Sequence, residues 1–85
     1  MVQMLADLAA FNEATKKDGL VVIDFTASWC PPCQMIAPKY AELDGKYEGV
    51  TLYKLDVDAN AEGAQAAGIE AMPTFQFFKG GQKVH

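Results

Sequence analysis

The hydrophobic positions of this 85-residue chain fall into short apolar runs separated by segments with helical spacing. The run at residues 20–25 is interrupted only by Asp24, which is typical of a central strand that is covered on both faces. Continuous or alternating apolar residues predict strands at four places, and these are residues 2–4, 20–25, 50–57 and 74–78.

Two helices are predicted from complete start and stop signals. The first begins at Asp7, a residue type that favours the N-cap position, and ends before Gly19. The other spans residues 60–67, is rich in alanine and is closed by Gly68. Both lie between predicted strands, as the crossover helices of parallel sheets do.

A further helix is predicted from Pro32 onwards, with Gly49 after its end. Its apolar residues recur on one face, and they are Ile36, Tyr40, Leu43 and Tyr47. Pro38 lies inside this helix and removes one backbone hydrogen bond. We therefore expect a kink at Pro38 that separates a short first turn from a longer packed segment.

The order of these elements predicts an α/β fold, in which helices flank a central mixed sheet. Strand–helix–strand units are expected to form right-handed parallel crossovers. Gly80 and Gly81 predict a tight hairpin, so the strand at residues 74–78 is expected to have an antiparallel partner that begins at residues 82–85. The length of the chain predicts one domain, residues 1–85.

Charge and composition exclude several classes of partner. The formal net charge is −4, with seven lysines and no arginine, which argues against binding to nucleic acid or to an anionic membrane. No apolar run approaches the roughly 18 residues that a membrane span needs. The first seven residues carry no basic segment and meet an acid at Asp7, so we expect no secretory signal and a cytoplasmic location.

Two cysteines, Cys30 and Cys33, stand where the strand at residues 20–25 gives way to the helix. Side chains three apart on a helix are about 5 to 6 Å apart, close enough for a disulfide. Unpaired N–H groups and the helix dipole favour a thiolate at the first turn. We therefore expect Cys30 to be the nucleophile and Cys33 the resolving thiol, with Pro31 and Pro32 stiffening the loop between them.

Half of a zinc site and an inert structural bridge are the alternatives for the cysteine pair. Zinc is bound by four ligands, and the only imidazole of the chain is His85. One chain therefore cannot close a tetrahedral site, although a dimer can share two cysteine pairs around zinc or an iron–sulfur cluster. The alternative to redox catalysis is accordingly a non-enzymatic module that oligomerises or shares a metal.

The segment Trp29-Cys30-Pro31-Pro32-Cys33, after a strand that contains an acid, resembles the active site of the thioredoxin family. Three further stretches match in family order, and these are residues 37–38, 54–58 and 71–75. Pro31 stands where most members have glycine, a departure shared with some plant cytosolic thioredoxins and with tryparedoxin-like and nucleoredoxin-like relatives. The resemblance implies the thioredoxin fold, here without most of the last strand and the final helix.

The resemblance also implies a role for Asp24. A buried carboxylate without a partner costs several kcal/mol, so a carboxylate in an apolar strand calls for an explanation. In the family, the matching aspartate lies beneath the disulfide with a raised pKa and accepts the proton of the buried cysteine, which is Cys33 here. Lys54 matches a lysine that approaches this aspartate from the next strand.

Residues around the cysteines are implied to bind substrate or to support the site. The resemblance implies that the indole N–H of Trp29 reaches Asp58 and that Trp29 and Pro31 contact partner proteins. It also implies a cis bond between Met72 and Pro73, with the backbone of Met72 free to pair with an extended substrate strand. Pro38 belongs to the supporting set.

The activity implied by the resemblance is that of a protein disulfide reductase, which acts on protein disulfides by thiol–disulfide exchange without a bound cofactor. Re-reduction is implied to come from an NADPH-dependent thioredoxin reductase. Because the partner of the strand at residues 74–78 has barely begun at the end of the sequence, we expect an open sheet edge and a partly uncovered face. A homodimer formed through this C-terminal edge is the expected cover.

Overall fold

The central strand of the fold is the apolar segment that contains Asp24. The computed structural model describes residues 2–85. Its elements, in chain order, are β1 (Gln3–Met4), α1 (Leu8–Thr15), β2 (Leu20–Thr26), α2 (Pro31–Glu42), β3 (Val50–Asp56), α3 (Ala61–Ala67), β4 (Thr74–Lys79) and β5 (Gln82–Lys83). They confirm the α/β class and the four predicted strands, with ends that differ by a residue or two.

The sheet has the strand order β1-β3-β2-β4-β5. β1 and β2 both run parallel to β3, whereas β4 is antiparallel to β2, so the sheet is mixed as predicted. Gly80 and Gly81, both with positive φ, form the two-residue turn that leads into β5. The carboxyl ends of β2 and β3 therefore lie side by side at the edge where α2 begins.

Side chains of β2 alternate between two layers. Val21, Ile23 and Phe25 pack with residues of α1 and α3 in the larger core. Val22 faces the opposite way and packs with Tyr40 of α2. The sheet therefore lies between α1 and α3 on one face and α2 on the other. This confirms the prediction of a strand covered on both faces.

The helix starts were predicted better than the helix ends. Asp7 caps α1, with its Oδ1 accepting the N–H of Ala10 at 2.8 Å, as predicted. The prediction that α2 continues to Gly49 is wrong, because α2 ends at Glu42. Gly45 adopts a φ of +79°, a left-handed conformation that a helix cannot contain. α2 runs through Pro38 as one helix.

An apolar groove lies between α2 with the segment that follows it and the sheet. It has a volume of about 660 Å³, and Tyr40, Leu52, Phe75 and Phe77 are among the residues that line it. Nothing in a single chain tests the predicted homodimer, which stays a prediction. None of the helices in residues 2–85 is long and apolar enough to cross a membrane.

Candidate redox-active site

The end of β2 and the start of α2 bring the two cysteines together. Cys30 is the N-cap of α2 in an extended conformation, and Pro31 and Pro32 occupy the first two helical positions, where a missing N–H costs nothing. The Cys30 and Cys33 Cα atoms are 5.3 Å apart and the two sulfurs form a disulfide. The predicted pairing within the first turn is therefore present.

The two sulfurs differ in access and in hydrogen bonding. Cys33 is fully buried, whereas Cys30 retains 4% of its surface. The Sγ atom of Cys30 accepts the backbone N–H of Cys33 at 3.4 Å. A negative charge on this sulfur would be stabilised by that N–H and by the positive end of the helix dipole. The geometry therefore makes Cys30 the sulfur that a partner can reach, although its exposure is smaller than its cap position suggested.

A flat, exposed surface lies beside Cys30. Trp29 is 62% exposed, and its indole N–H donates to Asp58 Oδ2 at 2.6 Å, as the resemblance implied. The carbonyl oxygen of Met72 lies 3.8 Å from Cys30 Sγ. The peptide bond between Met72 and Pro73 is cis, which confirms the isomer implied by the resemblance. The exposed face of Trp29 and the backbone carbonyl of Met72 thus border the reactive sulfur.

Asp24 lies on β2, six residues before Cys30, and is almost completely buried, with 2% exposure. Its Oδ1 atom has no hydrogen-bond partner among residues 2–85. Burial raises the pKa of Asp24 to about 6, and the positive charge of Lys54 opposes this rise. Lys54 is in register with Asp24 on β3. The structure therefore brings together the buried acid and the lysine that the sequence singled out.

A cleft of about 170 Å³ reaches Asp24 from the surface, and Gln34, Lys54 and Asp56 also line it. A polar cleft of this size has room for a few water molecules. The arrangement can exchange a proton between the buried carboxyl group and solvent. Pro38, the remaining residue of the predicted set, is exposed and lies inside α2.

The hydrogen-bonding roles of two residues on α2 were not predicted from the sequence. Gln34 donates from Nε2 to the carbonyl oxygen of Ala27 at 2.8 Å, and Tyr40 places its hydroxyl 3.1 Å from the Val22 carbonyl oxygen and 2.7 Å from that of Tyr53. Helical side chains lean towards the N-terminus of their helix, so a glutamine just after the first turn can reach the preceding loop. That lean was the available signal for Gln34.

Comparison with known proteins agrees with this geometry. The family model described as Thioredoxin matches residues 2–85. A thioredoxin of Geodia cydonium is 56% identical and aligns with 96% of this chain and 79% of that protein. Thioredoxin-1 of Schizosaccharomyces pombe is 43% identical over 99% of this chain and 82% of that protein. A solved structure of Plasmodium falciparum thioredoxin superimposes with a TM-score of 0.94 at 37% identity and covers 99% of this chain and 82% of its own. The chain therefore belongs to the thioredoxin family and is a thioredoxin-type protein-disulfide oxidoreductase.

Proposed function

We propose that the chain reduces protein disulfides through the pair in Cys30-Pro31-Pro32-Cys33. The observation that carries this proposal is the disulfide between the N-cap and the first turn of α2, in which only Cys30 retains surface. A partner disulfide can approach the sulfur of Cys30, while the sulfur of Cys33 stays buried until the second step. This asymmetry is what a two-step exchange reaction requires.

In the first step, the thiolate of Cys30 attacks one sulfur of the substrate disulfide. A bond forms between Cys30 and that sulfur, the substrate S–S bond breaks, and the departing substrate thiolate takes a proton from solvent. In the second step, the Asp24 carboxylate accepts the proton of Cys33, and the Cys33 thiolate attacks Cys30 Sγ. The Cys30–Cys33 bond forms, the mixed disulfide breaks, and the second substrate thiolate takes a proton from solvent, so that the substrate leaves as a dithiol.

The second step gains from proximity. Attack within one helical turn is intramolecular, so the effective concentration of Cys33 greatly exceeds that of any free thiol. Burial of Asp24 supports its role as base, because a carboxyl with a pKa of about 6 is ionised at neutral pH but still binds a proton well. Lys54 opposes the effect of burial and prevents the pKa from rising further.

Substrate recognition is assigned to the residues that border Cys30. Trp29 offers a flat exposed face, and Pro31 lies exposed beside it at the first position of α2. The Met72 backbone, ahead of Pro73, can pair with an extended substrate segment as an added strand. No bound cofactor takes part in these steps. An NADPH-dependent thioredoxin reductase is the proposed source of electrons for re-reduction.

The cytoplasm is the proposed compartment, since a reducing environment keeps such a pair in turnover. The similarity to plant-type cytosolic thioredoxins rests on Pro31 alone and remains part of this proposal.

We further propose a homodimer through β5, the last strand of the sheet, whose residues Gln82 and Lys83 are both exposed. Light scattering after size exclusion over a range of concentrations tests it, and a monomer throughout would contradict it.

Insulin reduction tests the proposed activity. In the presence of dithiothreitol, catalytic amounts of the protein should precipitate the insulin B chain much faster than dithiothreitol alone. Cys30→Ser should have no such effect. Protein purified without chelators should be assayed for metal in parallel. Bound zinc or iron together with no insulin reduction would favour the metal-sharing module and contradict the reductase.

A further inference from the structure

Gln34, the residue after Cys33, holds the loop in front of α2 at two points. Its backbone N–H donates to the carbonyl oxygen of Cys30 at 3.1 Å. Its side-chain Nε2 donates to the carbonyl oxygen of Ala27 at 2.8 Å. Ala27 is fully buried, so its carbonyl belongs to the fixed part of the structure. Gln34 thereby joins both ends of the short loop that carries the nucleophile.

The carbonyl of Ala27 is shared between two donors. The backbone N–H of Cys30 donates to the same oxygen at 3.2 Å. The remaining loop residues give the loop little packing, because Ser28 and Trp29 are both exposed. The position of this loop therefore depends on hydrogen bonds more than on apolar contacts. Neither bond to the Ala27 oxygen involves a sulfur atom, so opening the disulfide removes neither of them.

The position of the loop decides where the sulfur of Cys30 lies relative to the helix end. Cys30 Sγ accepts the N–H of Cys33 at 3.4 Å in the observed arrangement. A hydrogen bond to a charged acceptor is stronger than one to a neutral acceptor, and it depends on the angle and distance at the acceptor. A loop that moves freely would hold the sulfur at this N–H for a smaller part of the time.

We propose that Gln34 is a positioning residue for Cys30: its side-chain amide fixes the Ala27 carbonyl and the loop up to Cys30, so that the Cys33 N–H points at the reactive sulfur. The proposal rests on the proposed disulfide reductase and extends it. It assigns part of the reactivity of Cys30 to an uncharged side chain outside the cysteine pair.

The charged and titratable groups around Cys30 come from several elements. They are Cys33 on α2, Asp24 on β2 together with Lys54 and Asp56 on β3, which line the cleft beside Gln34, and Asp58 ahead of α3, which binds Trp29. Replacing Gln34 by methionine changes none of these groups. The replacement keeps the length of the side chain and a similar helix propensity, and it replaces the amide group, including the Nε2 donor to the Ala27 carbonyl, by an uncharged thioether. Any change in the titration of Cys30 in Gln34→Met then reports the lost hydrogen bond.

The test measures the rate at which iodoacetamide alkylates Cys30 between pH 4 and 9 in full-length protein carrying Cys33→Ser. Gln34→Met should raise the pH midpoint by about 0.3 to 1 unit, which is about two- to tenfold less thiolate below the midpoint. Gln65→Met is the matched control, since Gln65 is an exposed glutamine on α3, and it should keep the midpoint of the parent. Gln34→Lys, which restores a donor, should also keep it when salt screens the added charge.

An unchanged midpoint in Gln34→Met would overturn the proposal, as would an equal shift in Gln65→Met. A shift in Gln34→Lys as large as that in Gln34→Met would overturn it too, because the donor would then be irrelevant. The alkylation measurement does not depend on substrate. If the parent protein fails to reduce insulin while Gln34→Met still shifts the midpoint, the proposed function is wrong and the positioning role of Gln34 stands.

Discussion

Asp24 and Lys54 are register partners on adjacent parallel strands, yet the Asp24 Oδ1 atom is buried without a hydrogen-bond partner among residues 2–85. Burial raises the pKa of Asp24 to about 6, although Lys54 opposes the rise. A buried carboxyl group without a hydrogen-bond partner and with a raised pKa is poorly suited to stabilise the fold at neutral pH, but it is well suited to exchange a proton. This relationship leads to three of the predictions below.

The pH dependence of stability is the first prediction. The folded protein binds a proton at Asp24 with a pKa of about 6, against 3.8 for an ordinary aspartate, so the folded state holds more protons between these values. The contribution of Asp24 to the free energy of unfolding is therefore fully present below about pH 4. It is lost as the pH rises through about 6, by an amount on the order of 3 kcal/mol. Urea unfolding at several pH values measures the loss.

Asp24→Asn removes this titration and should be more stable than the parent at pH 7, with the difference disappearing towards pH 4. Asp18→Asn, at an exposed position, is the control and should follow the parent at every pH. If Asp24→Asn is less stable than the parent at pH 7, Asp24 stabilises the fold as an ion-pair partner, and its role as a proton acceptor loses its physical basis.

The same variant should separate rate from stability. Asn cannot accept the proton of Cys33, so Asp24→Asn should slow release of the mixed disulfide by about 100-fold or more while leaving attack by Cys30 almost unchanged. Rapid acid quenching followed by mass spectrometry of the protein–substrate adduct follows both steps. Equal decay of the adduct in parent and variant would show that Cys33 loses its proton by another route.

Removal of the lysine should shift the titration of Asp24. Lys54→Met abolishes the positive charge that lowers the pKa of Asp24, so the pKa should rise above about 6 and the pH range in which stability is lost should move upwards. The midpoint of that range, from unfolding measured against Asp24→Asn in the same background, is the readout. Lys46→Met, at an exposed lysine, is the control. An identical midpoint in Lys54→Met and Lys46→Met would show that Lys54 does not act on Asp24.

Tyr40 should contribute to stability through its hydroxyl group. The hydroxyl lies within hydrogen-bonding distance of the carbonyl oxygens of Val22 and Tyr53, and so connects α2 to two neighbouring strands. Tyr40→Phe should lower the free energy of unfolding by about 1 to 2 kcal/mol. Tyr47→Phe, at a tyrosine that is 60% exposed, should change it by less than about 0.5 kcal/mol. Equal effects of the two substitutions in denaturant unfolding would contradict this role.

Much of the fold could be predicted because the sequence signals that specify it act locally. An Asp at an N-cap, a Gly with positive φ after a helix, and an apolar strand all act within a few residues, and Asp7, Gly68 and β2 were placed correctly for that reason. The end of α2 was misplaced because apolar spacing continued to Tyr47 while Gly45 required a left-handed backbone. Two signals competed there, and periodicity alone could not decide between them.

The candidate site likewise contains features that local sequence signals predict and features that they do not. Cys30 and Cys33 could be placed from their spacing, whereas the contacts of Trp29 with Asp58 came only from the resemblance. The bond from Gln34 to Ala27 depends on how far the loop folds back over the helix, which no periodic pattern encodes. Pairing of Asp24 with Lys54 required the register of two strands that are 30 residues apart in the chain. Register is set by the packing of both sheet faces together.

Trapping of the mixed disulfide is the measurement that tests the central claim most directly. Reduced Cys33→Ser and Cys30→Ser proteins are each incubated with a disulfide-containing protein substrate, quenched in acid and analysed by mass spectrometry. The account predicts a covalent adduct on Cys30 in Cys33→Ser that forms quickly and persists, and almost no adduct in Cys30→Ser, where the remaining sulfur is buried. Adducts of equal yield in both variants, or in neither, would contradict the assignment of Cys30 as nucleophile and Cys33 as resolving thiol.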